Sequence, residues 1–445
     1  MTNGQQNSNG KSDVNNKPKQ VRKFLFVSWE SLSGDLAWQL KKEGHQVKIY
    51  IKSETDKDVY DGFLDKVSDW KINSDWADVI VFDDVGFGKE ADELRKQGKL
   101  VVGGSEYTDR LEDDREFGQS EMKRLGMLTL PSWNFDDYDK ALEFIEKNPG
   151  RYVYKPSGFI PSDWRGLLFT GRDEDGKDMH EVLSQNKKVI SKKIKQFQLQ
   201  KFASGVEVGM SAFFNGHDFI NPILIAFEHK RLFPGELGPM TGEMGTSMFW
   251  TEPNKLFKET TGRMLEELRK CHYVGYIDIN CIVNGRGIYP LEFTCRFGYP
   301  TISIQQEGVL SEWGELLYAM AAGQPFDLKT KKGFQVGVVC VTPPFPFDDP
   351  SEMELYRDLS ILFKKHSFDG IHLGDIKTVD GVWRVAGSSG YVLIVTGNGT
   401  TMEEARKQVY SRLENIVLQN MFYRTDIGLN WSEDSDKLQT WGYLY

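Results

Sequence analysis

The sequence predicts an α/β protein whose N-terminal part is a doubly wound parallel sheet. Apolar runs of strand length alternate with helical patterns over the first hundred residues, which is typical of a parallel sheet covered by helices. The chain has 445 residues, more than one ordinary hydrophobic core fills. Its composition, 39% hydrophobic and 27% charged, is that of a globular protein. Length therefore favours roughly two to four domains.

The N-terminal region, residues 21–108, shows the most regular pattern. A strand, a helix and a second strand follow one another at the spacing of a βαβ unit, and this succession implies parallel strands. The predicted strands are 24–27, 47–51, 78–82 and 99–102, and the predicted helices are 36–44 and 89–97. We expect a small doubly wound domain here. Residues 1–20 are polar almost throughout and are predicted to form a disordered tail.

The pattern changes near residue 110, where mixed strands and helices replace the regular alternation. The predicted central elements are a helix over 115–125, a strand over 152–155, a loop over 156–166, a strand pair over 197–214, a strand near 219–227, an irregular glycine-rich stretch over 234–245, a helix over 254–270, strands over 275–283 and 287–293, and a helix near 311–322. Later elements are strands near 335–341 and 391–396 and a helix over 402–418. We expect a central region over 109–325 and a small α+β C-terminal domain over 326–445.

Charge and hydropathy exclude several classes of function. The 65 acidic residues outnumber the 55 basic ones and give a net charge of −10, so we expect no binding to a nucleic-acid backbone. Apolar runs stay well below the roughly 20 residues that a membrane helix needs. The four cysteines lie far apart, which disfavours a disulfide framework or a structural zinc site. Because the start shows no secretory signal pattern, we expect a soluble, cytoplasmic protein.

Two segments of the central region carry residues suited to a nucleotide. Lys155 ends a predicted strand before a loop rich in glycine and proline, so it can place a point charge on a phosphate while loop amides bind the other oxygens. Further on, a strand passes Gln200, turns at Gly205 and presents Glu207. A glutamine can contact an adenine edge, and a carboxylate can accept from two ribose hydroxyls. Taken singly, these patterns are more typical of a surface lysine and a plain hairpin.

Two later segments suggest a phosphate and metal site. Residues 238–245 are dense in glycine, which leaves backbone amides accessible to a small carboxylate or to phosphoryl oxygens. Near the end of the last central strand, the two-residue period puts Glu292, Thr294 and Arg296 on one side. A carboxylate beside an oxygen ligand suits Mg²⁺ carrying phosphates, and an arginine can stabilise a transferred phosphoryl group. Asp278, on the preceding strand, is either a further metal ligand or a solvated acid.

These segments, in this order, resemble the ATP-grasp fold and, within it, the glycinamide ribonucleotide synthetase (phosphoribosylamine–glycine ligase) family of purine biosynthesis. The family's Gly-Pro-Asn-Thr-Gly-Gly-Met-Gly loop is similar to Gly-Pro-Met-Thr-Gly-Glu-Met-Gly at 238–245. Its Asp-His-Lys-Arg segment resembles residues 228–231, and its Leu-Glu-Phe-Asn-Cys-Arg-Phe-Gly strand resembles 291–298. Its terminal Met-Phe-Tyr-Arg-Arg-Asp-Ile-Gly resembles 421–428, and the resemblance extends over residues 22–430.

The resemblance implies a fold and a reaction. The fold is an ATP-grasp fold with an N-terminal doubly wound domain, ATP between two α+β subdomains within 109–325, and a small C-terminal α+β domain that completes the substrate site. In the implied reaction a substrate carboxylate attacks the γ-phosphate of ATP to give an acyl phosphate and ADP, and an amine then displaces phosphate to form an amide. The implied partners are small molecules: ATP with Mg²⁺ or Mn²⁺, glycine or another amino acid, and an amine acceptor. A monomer or homodimer is expected.

The family's motifs also imply a role for individual residues of this chain. The implied ATP contacts are Arg115, Lys155, Gln200, Lys201, Ala203 and Glu207. The implied substrate contacts are Lys230, Gly238, Thr241, Gly242, Glu243, Met244, Gly245 and Arg296. The implied metal ligands are Glu292 and Thr294, with Asp278 as the further candidate, and the implied catalytic residues are Lys155 and Arg296.

Departures from the family's motifs concentrate on the acceptor side. Where the family has Gly-Gly-Arg-Glu-His, this chain reads Glu-Ser-Leu-Ser-Gly at 30–34. Glu30 would repel a phosphate, although the two serines and a helix N-terminus could still bind one. Thr294 replaces an asparagine of the metal pair, and Glu243 replaces a glycine of the substrate loop.

Three functions therefore stay open at this point. The chain is a divergent glycinamide ribonucleotide synthetase, an ATP-grasp ligase that joins an amino acid to another amine such as a modified nucleotide, or a non-catalytic nucleotide-binding relative. A basic residue that approaches the 30–34 loop from elsewhere would favour the first. The joint presence of Lys155, Glu207, Glu292 and Arg296 disfavours the third.

Overall fold

The computed structural model describes residues 20–157, 167–347 and 349–444. The predicted tail before residue 20 and positions 158–166 of the predicted loop lie outside these residues. The strands are β1 (Lys23–Ser28), β2 (Gln46–Ile51), β3 (Asp65–Lys66), β4 (Val79–Phe82), β5 (Val101–Val102), β6 (Ser132–Phe135), β7 (Tyr152–Ser157), β8 (Phe169–Thr170), β9 (Gln196–Lys201), β10 (Val206–Asn215), β11 (Phe219–Glu228), β12 (Arg231–Phe233), β13 (Leu237–Met240), β14 (Gly245–Thr251), β15 (Val274–Asn284), β16 (Gly287–Thr294), β17 (Phe334–Val341), β18 (Ser360–Phe363), β19 (Ile371–Leu373), β20 (Ile376–Val379), β21 (Val382–Val385), β22 (Tyr391–Gly399) and β23 (Ile416–Val417).

The helices lie between these strands in the order that an α/β chain predicts. They are α1 (Gly34–Lys42), α2 (Trp70–Asn73), α3 (Gly88–Lys96), α4 (Glu106–Asp113), α5 (Arg115–Arg124), α6 (Tyr138–Lys147), α7 (Lys177–Lys193), α8 (Lys255–Glu259), α9 (Leu265–Lys270), α10 (Thr301–Gly308), α11 (Trp313–Ala321), α12 (Pro350–Tyr356), α13 (Met402–Leu413) and α14 (Trp431–Thr440). No helix in the described ranges combines the length and the apolar character that crossing a bilayer requires.

The N-terminal sheet is parallel throughout, as predicted, with the strand order β3-β2-β1-β4-β5. Strand β1 is buried except at its first residue, and β4 is buried completely. Such runs are apolar on both faces because helices cover both sides of the sheet. The strand order reverses between β1 and β4, so the loops after these two strands leave in opposite directions and open a crevice between them.

Two further sheets form the central part. A four-stranded antiparallel sheet has the order β6-β9-β7-β8, with α6 and α7 enclosing a separate small core. A larger sheet has the order β16-β15-β10-β11-β14-β17-β22-β19. This large sheet includes strands from both sides of residue 325, where we predicted a domain boundary. The predicted domain boundaries stay predictions.

Three predicted elements differ in detail. The helix predicted over 254–270 is divided into α8, a 3₁₀ turn (Thr261–Met264) and α9, because Thr260 leaves the helical conformation with φ −126° and ψ −103°. The helix predicted to reach residue 418 ends at Leu413, and the chain then forms β23. The glycine-rich stretch over 234–245 is not wholly irregular, since β13 pairs with β12 as a hairpin.

Candidate active site

An acidic face of the large sheet gathers most of the predicted metal and phosphate residues. In the ladder of β15 and β16, Asp278 pairs with Thr294 and Asn280 with Glu292. Cross-strand partners project from the same face, so these four side chains are neighbours. Gly209 on β10 leaves space for this cluster, because a Cβ there would lie 3.0 Å from Asp278 Oδ1. Asp278 is buried, so the alternative of a solvated acid is wrong.

Lys230 lies at the centre of this face. Its Nζ is 3.1 Å from Glu207 Oε1, 3.3 Å from Glu228 Oε2 and 3.0 Å from Glu292 Oε1. Burial opposes the ammonium charge, but the three carboxylates outweigh it and raise the pKa of Lys230. In turn Lys230 lowers the pKa of Glu292 to about 2. Asn280 joins the cluster by donating to Glu207 at 2.8 Å and to Glu228 at 3.0 Å.

The remaining acids of the site are buried and close to one another. Burial and the neighbouring carboxylates raise the pKa values of Glu228, Asp278 and Glu243. Glu243 is only 7% exposed, and its Oε1 has no hydrogen-bond partner within the described residues. A buried carboxyl oxygen without a partner is uncommon in folded proteins.

Lys155 faces the acidic side from the smaller sheet. It lies on β7 and is buried, and burial together with the Arg115 charge lowers its pKa to about 7. Glu292 and Glu207 are near enough to oppose this shift. Lys155 and Arg115, the two predicted phosphate contacts, therefore lie close enough to interact electrostatically with the predicted metal and ribose residues, Glu292 and Glu207.

The predicted adenine contacts lie where β9 leaves the smaller sheet. Gln200 is buried between its ladder partners on β6 and β7. The amide of Lys201 donates to the Pro131 carbonyl at 2.8 Å, and the next amide, that of Phe202, donates to Arg151 at 2.9 Å. Within the described residues the Ala203 amide makes no hydrogen bond, so it is open to a ligand.

In the predicted substrate loop, residues 238–245, some backbone amides are hydrogen-bonded within the chain and others are open to a ligand. Thr241 donates its amide to the Lys230 carbonyl at 2.9 Å, and the Met244 amide donates to His229 at 2.8 Å. Between these anchors, the amides of Gly242 and Glu243 make no hydrogen bond in the part of the chain that the structure describes.

The ends of this loop serve the fold. Gly238 has a φ of +81° in the β12–β13 hairpin, and its carbonyl accepts from Arg231 at 2.7 Å. Met244 is buried in a small core with Leu232 and Val339. Gly245 has a φ of +150°, and a Cβ there would lie 2.6 Å from the Gly337 carbonyl oxygen.

Arg296 is held by two acids that sequence reasoning did not single out. Its Nε lies 3.2 Å from Glu112 Oε1 and 3.5 Å from Asp84 Oδ1, and Nη1 donates to the Phe297 carbonyl at 3.1 Å. Glu112 also accepts from the Cys295 amide at 2.7 Å. These carboxylates raise the pKa of Arg296 against the effect of burial, so the guanidinium is charged and fixed in place.

Comparison with known proteins agrees with this geometry. Residues 113–302 match the family model described as phosphoribosylglycinamide synthetase, ATP-grasp (A) domain. Residues 335–430 match the C domain of the same family. The two models together cover well over half of the chain. The chain belongs to the phosphoribosylglycinamide synthetase family.

Curated relatives and solved structures support this membership. The phosphoribosylamine–glycine ligase of Streptococcus pneumoniae is 27% identical over 350 residues, covering 76% of this chain and 80% of the relative. That of Listeria monocytogenes is 25% identical over 399 residues, covering 86% and 89%. The crystal structure of the Thermotoga maritima phosphoribosylamine–glycine ligase has a TM-score of 0.67 at 22% identity, covering 91% of this chain and 100% of that one.

The fold is shared more widely than the family. A biotin carboxylase domain from Hydrogenobacter thermophilus, solved with MgADP, ADP and bicarbonate, has a TM-score of 0.61 at 12% identity and covers 96% of this chain and 97% of its own. The predicted ATP-grasp fold is therefore confirmed.

The C-terminal motif of the synthetase family supports the substrate loop from behind. Arg424 is fully buried and donates to Glu236 and Asp426, each at 2.7 Å, and to the Arg231 carbonyl at 2.9 Å. Asp426 accepts in addition from the Gly235 amide at 2.9 Å. The motif at 421–428 thus fixes the β12–β13 hairpin that leads into the loop.

In the N-terminal loop at 30–34, part of the hydrogen-bonding capacity is used within the chain. From the sequence, Glu30 would repel a phosphate, but Ser31, Ser33 and the helix N-terminus could still bind one. Instead, Ser33 donates its amide at 2.9 Å and its hydroxyl at 2.7 Å to Asp83 Oδ2. Arg296 contacts Asp84, which follows β4, and its other polar contacts within the described residues likewise lie outside 30–34.

Proposed function

We propose that this chain is a phosphoribosylamine–glycine ligase: it joins glycine to 5-phosphoribosylamine with ATP, giving glycinamide ribonucleotide, ADP and phosphate in purine biosynthesis. Membership of the synthetase family, together with the convergence of Lys155 and Arg115 on the acidic face, carries the proposal. This reaction makes the chain an ATP-grasp ligase that forms a carbon–nitrogen bond.

The reaction needs orientation and charge more than a protein nucleophile. The glycine carboxylate attacks the γ-phosphorus of ATP; an O–P bond forms, the bond to the β-phosphate oxygen breaks, and ADP leaves. The amine of phosphoribosylamine then attacks the acyl carbon; a C–N bond forms, inorganic phosphate leaves, and the amine loses a proton. Arg296 supplies a fixed positive charge for the transferred group, Lys155 supplies a second one once phosphate oxygens favour its ammonium form, and the Gly242 and Glu243 amides bind the phosphoryl oxygens.

The acidic face fits a Mg²⁺ that takes most of its ligands from ATP and water. No three acidic, histidine or cysteine side chains of the described residues converge as a resident metal site needs. Mg²⁺ in ATP sites is commonly held by one or two carboxylates plus substrate phosphates. Glu292 would be the principal ligand because its side chain is 49% exposed and ionised, with Thr294 and Asp278 beside it. When bound, the ion neutralises phosphate charge.

The proposal is tested by ADP release from ATP, Mg²⁺ and glycine, with and without freshly made 5-phosphoribosylamine. We expect release to require both glycine and the amine. Glycine-dependent release that is indifferent to phosphoribosylamine would contradict the acceptor and indicate a different amine. Absence of glycine-dependent release would contradict the ligase assignment and indicate a nucleotide-binding relative.

A further inference from the structure

Three carboxylates of the acidic face are arranged around one point, and a lysine of the chain itself occupies that point. Oxygens of Glu207, Glu228 and Glu292 lie 3.1, 3.3 and 3.0 Å from Lys230 Nζ. Carboxylate oxygens that converge on one point are the arrangement that holds a hard cation in proteins. The ammonium group of Lys230 is the cation that these three carboxylates hold within the chain.

We propose that Lys230 is an internal counter-ion that keeps Mg²⁺ off the acidic face until ATP binds, and that its ammonium group then turns to the phosphates. The inference rests on the proposed function, which assigns Glu292 to the metal and Glu207 to the ribose. It makes cation binding depend on the nucleotide, so that the free ion does not occupy the site alone.

Glu292 depends on this lysine more than the other two carboxylates do. Asn280 Nδ2 donates to Glu207 at 2.8 Å and to Glu228 at 3.0 Å, so these two acids keep a donor when Lys230 moves. For the Glu292 carboxylate, Lys230 is the one hydrogen-bond donor within the described residues. The Glu292 side chain is also the most exposed of the three, at 49%. A cation that arrives from solvent with ATP therefore replaces Lys230 at Glu292.

The ammonium group and a metal ion exclude each other at these oxygens. Two cations that share the same carboxylates a few ångströms apart repel strongly where the dielectric constant is low. The Lys230 side chain is only 19% exposed, so water and salt screen this repulsion poorly. Lys230 therefore has to leave Glu292 before that carboxylate can hold Mg²⁺.

The backbone of Lys230 determines where its ammonium group can go. The Lys230 carbonyl accepts from the Thr241 amide at 2.9 Å and from the Thr241 hydroxyl at 2.7 Å. The side chain thus starts beside the substrate loop, and its flexible four-carbon stem can turn while the main chain stays in place. The charge of Lys230 already acts on Lys155, and the two like charges repel until an anion lies between them. The phosphates of ATP are the anion that draws the lysine away from the acidic face.

The first test measures Mn²⁺ binding without nucleotide, through the electron paramagnetic resonance signal of the free ion. Lys230→Met is uncharged and one atom shorter, so it leaves the three carboxylates without their cation. We expect its dissociation constant for Mn²⁺ to be at least about tenfold lower than that of the wild type. Lys188→Met, at an exposed position of α7, removes the same charge elsewhere and should bind Mn²⁺ like the wild type. Equal affinities of the two variants would overturn the inference.

Two further variants distinguish a cation site from a general gain of negative charge. Glu292→Gln added to Lys230→Met should return the Mn²⁺ affinity to within about threefold of the wild type, because the two residues are in contact. Lys230→Arg keeps the charge and should bind Mn²⁺ as weakly as the wild type. Mn²⁺ should also raise the Tm of Lys230→Met more than that of the wild type, since the ion binds the folded state. A gain in affinity that survives Glu292→Gln would overturn the inference.

The wild type itself supplies a test that does not depend on how well a variant folds. Saturable Mn²⁺ binding with a dissociation constant below about 0.1 mM in the absence of nucleotide would overturn the inference. In protein labelled with ¹⁵N-lysine, the Nζ resonance of Lys230, assigned by its loss in Lys230→Arg, should shift when Mg²⁺ and the β,γ-methylene analogue of ATP are added together. The same shift with Mg²⁺ alone would contradict the counter-ion.

The two proposals fail in different ways. Tighter Mn²⁺ binding by Lys230→Met, without any glycine-dependent ADP release by the wild type, would support the counter-ion and contradict the ligase function. Release that requires glycine and phosphoribosylamine, with Mn²⁺ binding unaffected by Lys230→Met, would support the ligase function and overturn the counter-ion.

Discussion

At the scale of single residues, the protonation state of each buried ionisable group of the site depends on which charged group lies next to it. Glu292 and Lys230 are 3.0 Å apart, and each stabilises the charged form of the other. Lys155 has no carboxylate at hydrogen-bond distance within the described residues, and its pKa is lowered to about 7. Before ATP binds, Lys230 is therefore charged, whereas Lys155 is partly neutral near pH 7.

Replacing Glu292 by glutamine should abolish ATP turnover and leave the fold intact. The substitution removes the exposed negative charge that suits Mg²⁺ but keeps a side chain of the same shape at the edge of the sheet. We expect kcat to fall at least about a hundredfold, with an unchanged circular dichroism spectrum. Glu354→Gln, at an exposed position of α12, is the matched control. ADP release at the wild-type rate would remove Glu292 from the metal site.

ATP binding should take up a proton at Lys155. The pKa of Lys155 lies near 7 in the free protein, and phosphate oxygens favour the ammonium form, so the pKa rises on binding. Above pH 7 the free lysine is mostly neutral; the affinity should therefore fall with rising pH by up to about tenfold per unit until the pKa of the complex is reached. Calorimetry at pH 8.5 in buffers of different ionisation enthalpy measures the uptake. Lys155→Arg should abolish it, and equal uptake in both proteins would contradict the assignment.

At the scale of elements, strands and hairpins place the charges. The two-residue period of the strand predicted correctly that Glu292 and Thr294 share a face, but wrongly extended it to Arg296, because β16 ends at Thr294 and Arg296 turns to Glu112 and Asp84. The strand period could not predict where Lys230 lies. Lys230 follows the end of β11, and the direction of its side chain depends on the β12–β13 hairpin that comes next. Asp83 and Ser33 meet although they are 50 residues apart, and no local pattern signals such a contact. Helix α10 was missed because nearly all of its residues are buried, which removes the amphipathic period.

Arg424→Leu tests the support of the substrate loop. The substitution leaves Asp426 and Glu236 without their common partner and should lower the free energy of unfolding by about 3 kcal/mol. Because the β12–β13 hairpin leads into the loop at 241–244, we expect KM for glycine to rise several-fold while the affinity for ATP is unchanged. Arg424→Lys keeps the positive charge but loses the planar guanidinium, so its free energy of unfolding and its KM for glycine should lie between those of the wild type and Arg424→Leu. If KM for glycine and the dissociation constant of ATP rose equally, a local role of Arg424 at the substrate loop would be contradicted.

At the scale of the whole molecule, buried carboxylates join the parts of the chain. Asp35 at the start of α1 accepts from Ser303 on α10 at 3.0 Å, and from His372 and the Leu373 amide on β19 at 2.8 Å and 2.9 Å. The N-terminal sheet is thereby held against the large sheet that carries the acidic face. Arg296 stands between the two and contacts Asp84 on one side and Glu112 on the other.

The central claim, activation of a carboxylate as an acyl phosphate, is tested most directly by an isotope experiment. Glycine labelled with ¹⁸O in its carboxylate is incubated with the protein, ATP, Mg²⁺ and 5-phosphoribosylamine, and the released phosphate is analysed by mass spectrometry. We predict one ¹⁸O atom in each phosphate, because the carboxylate oxygen that attacks the γ-phosphorus leaves with it. Release of unlabelled phosphate would contradict the account.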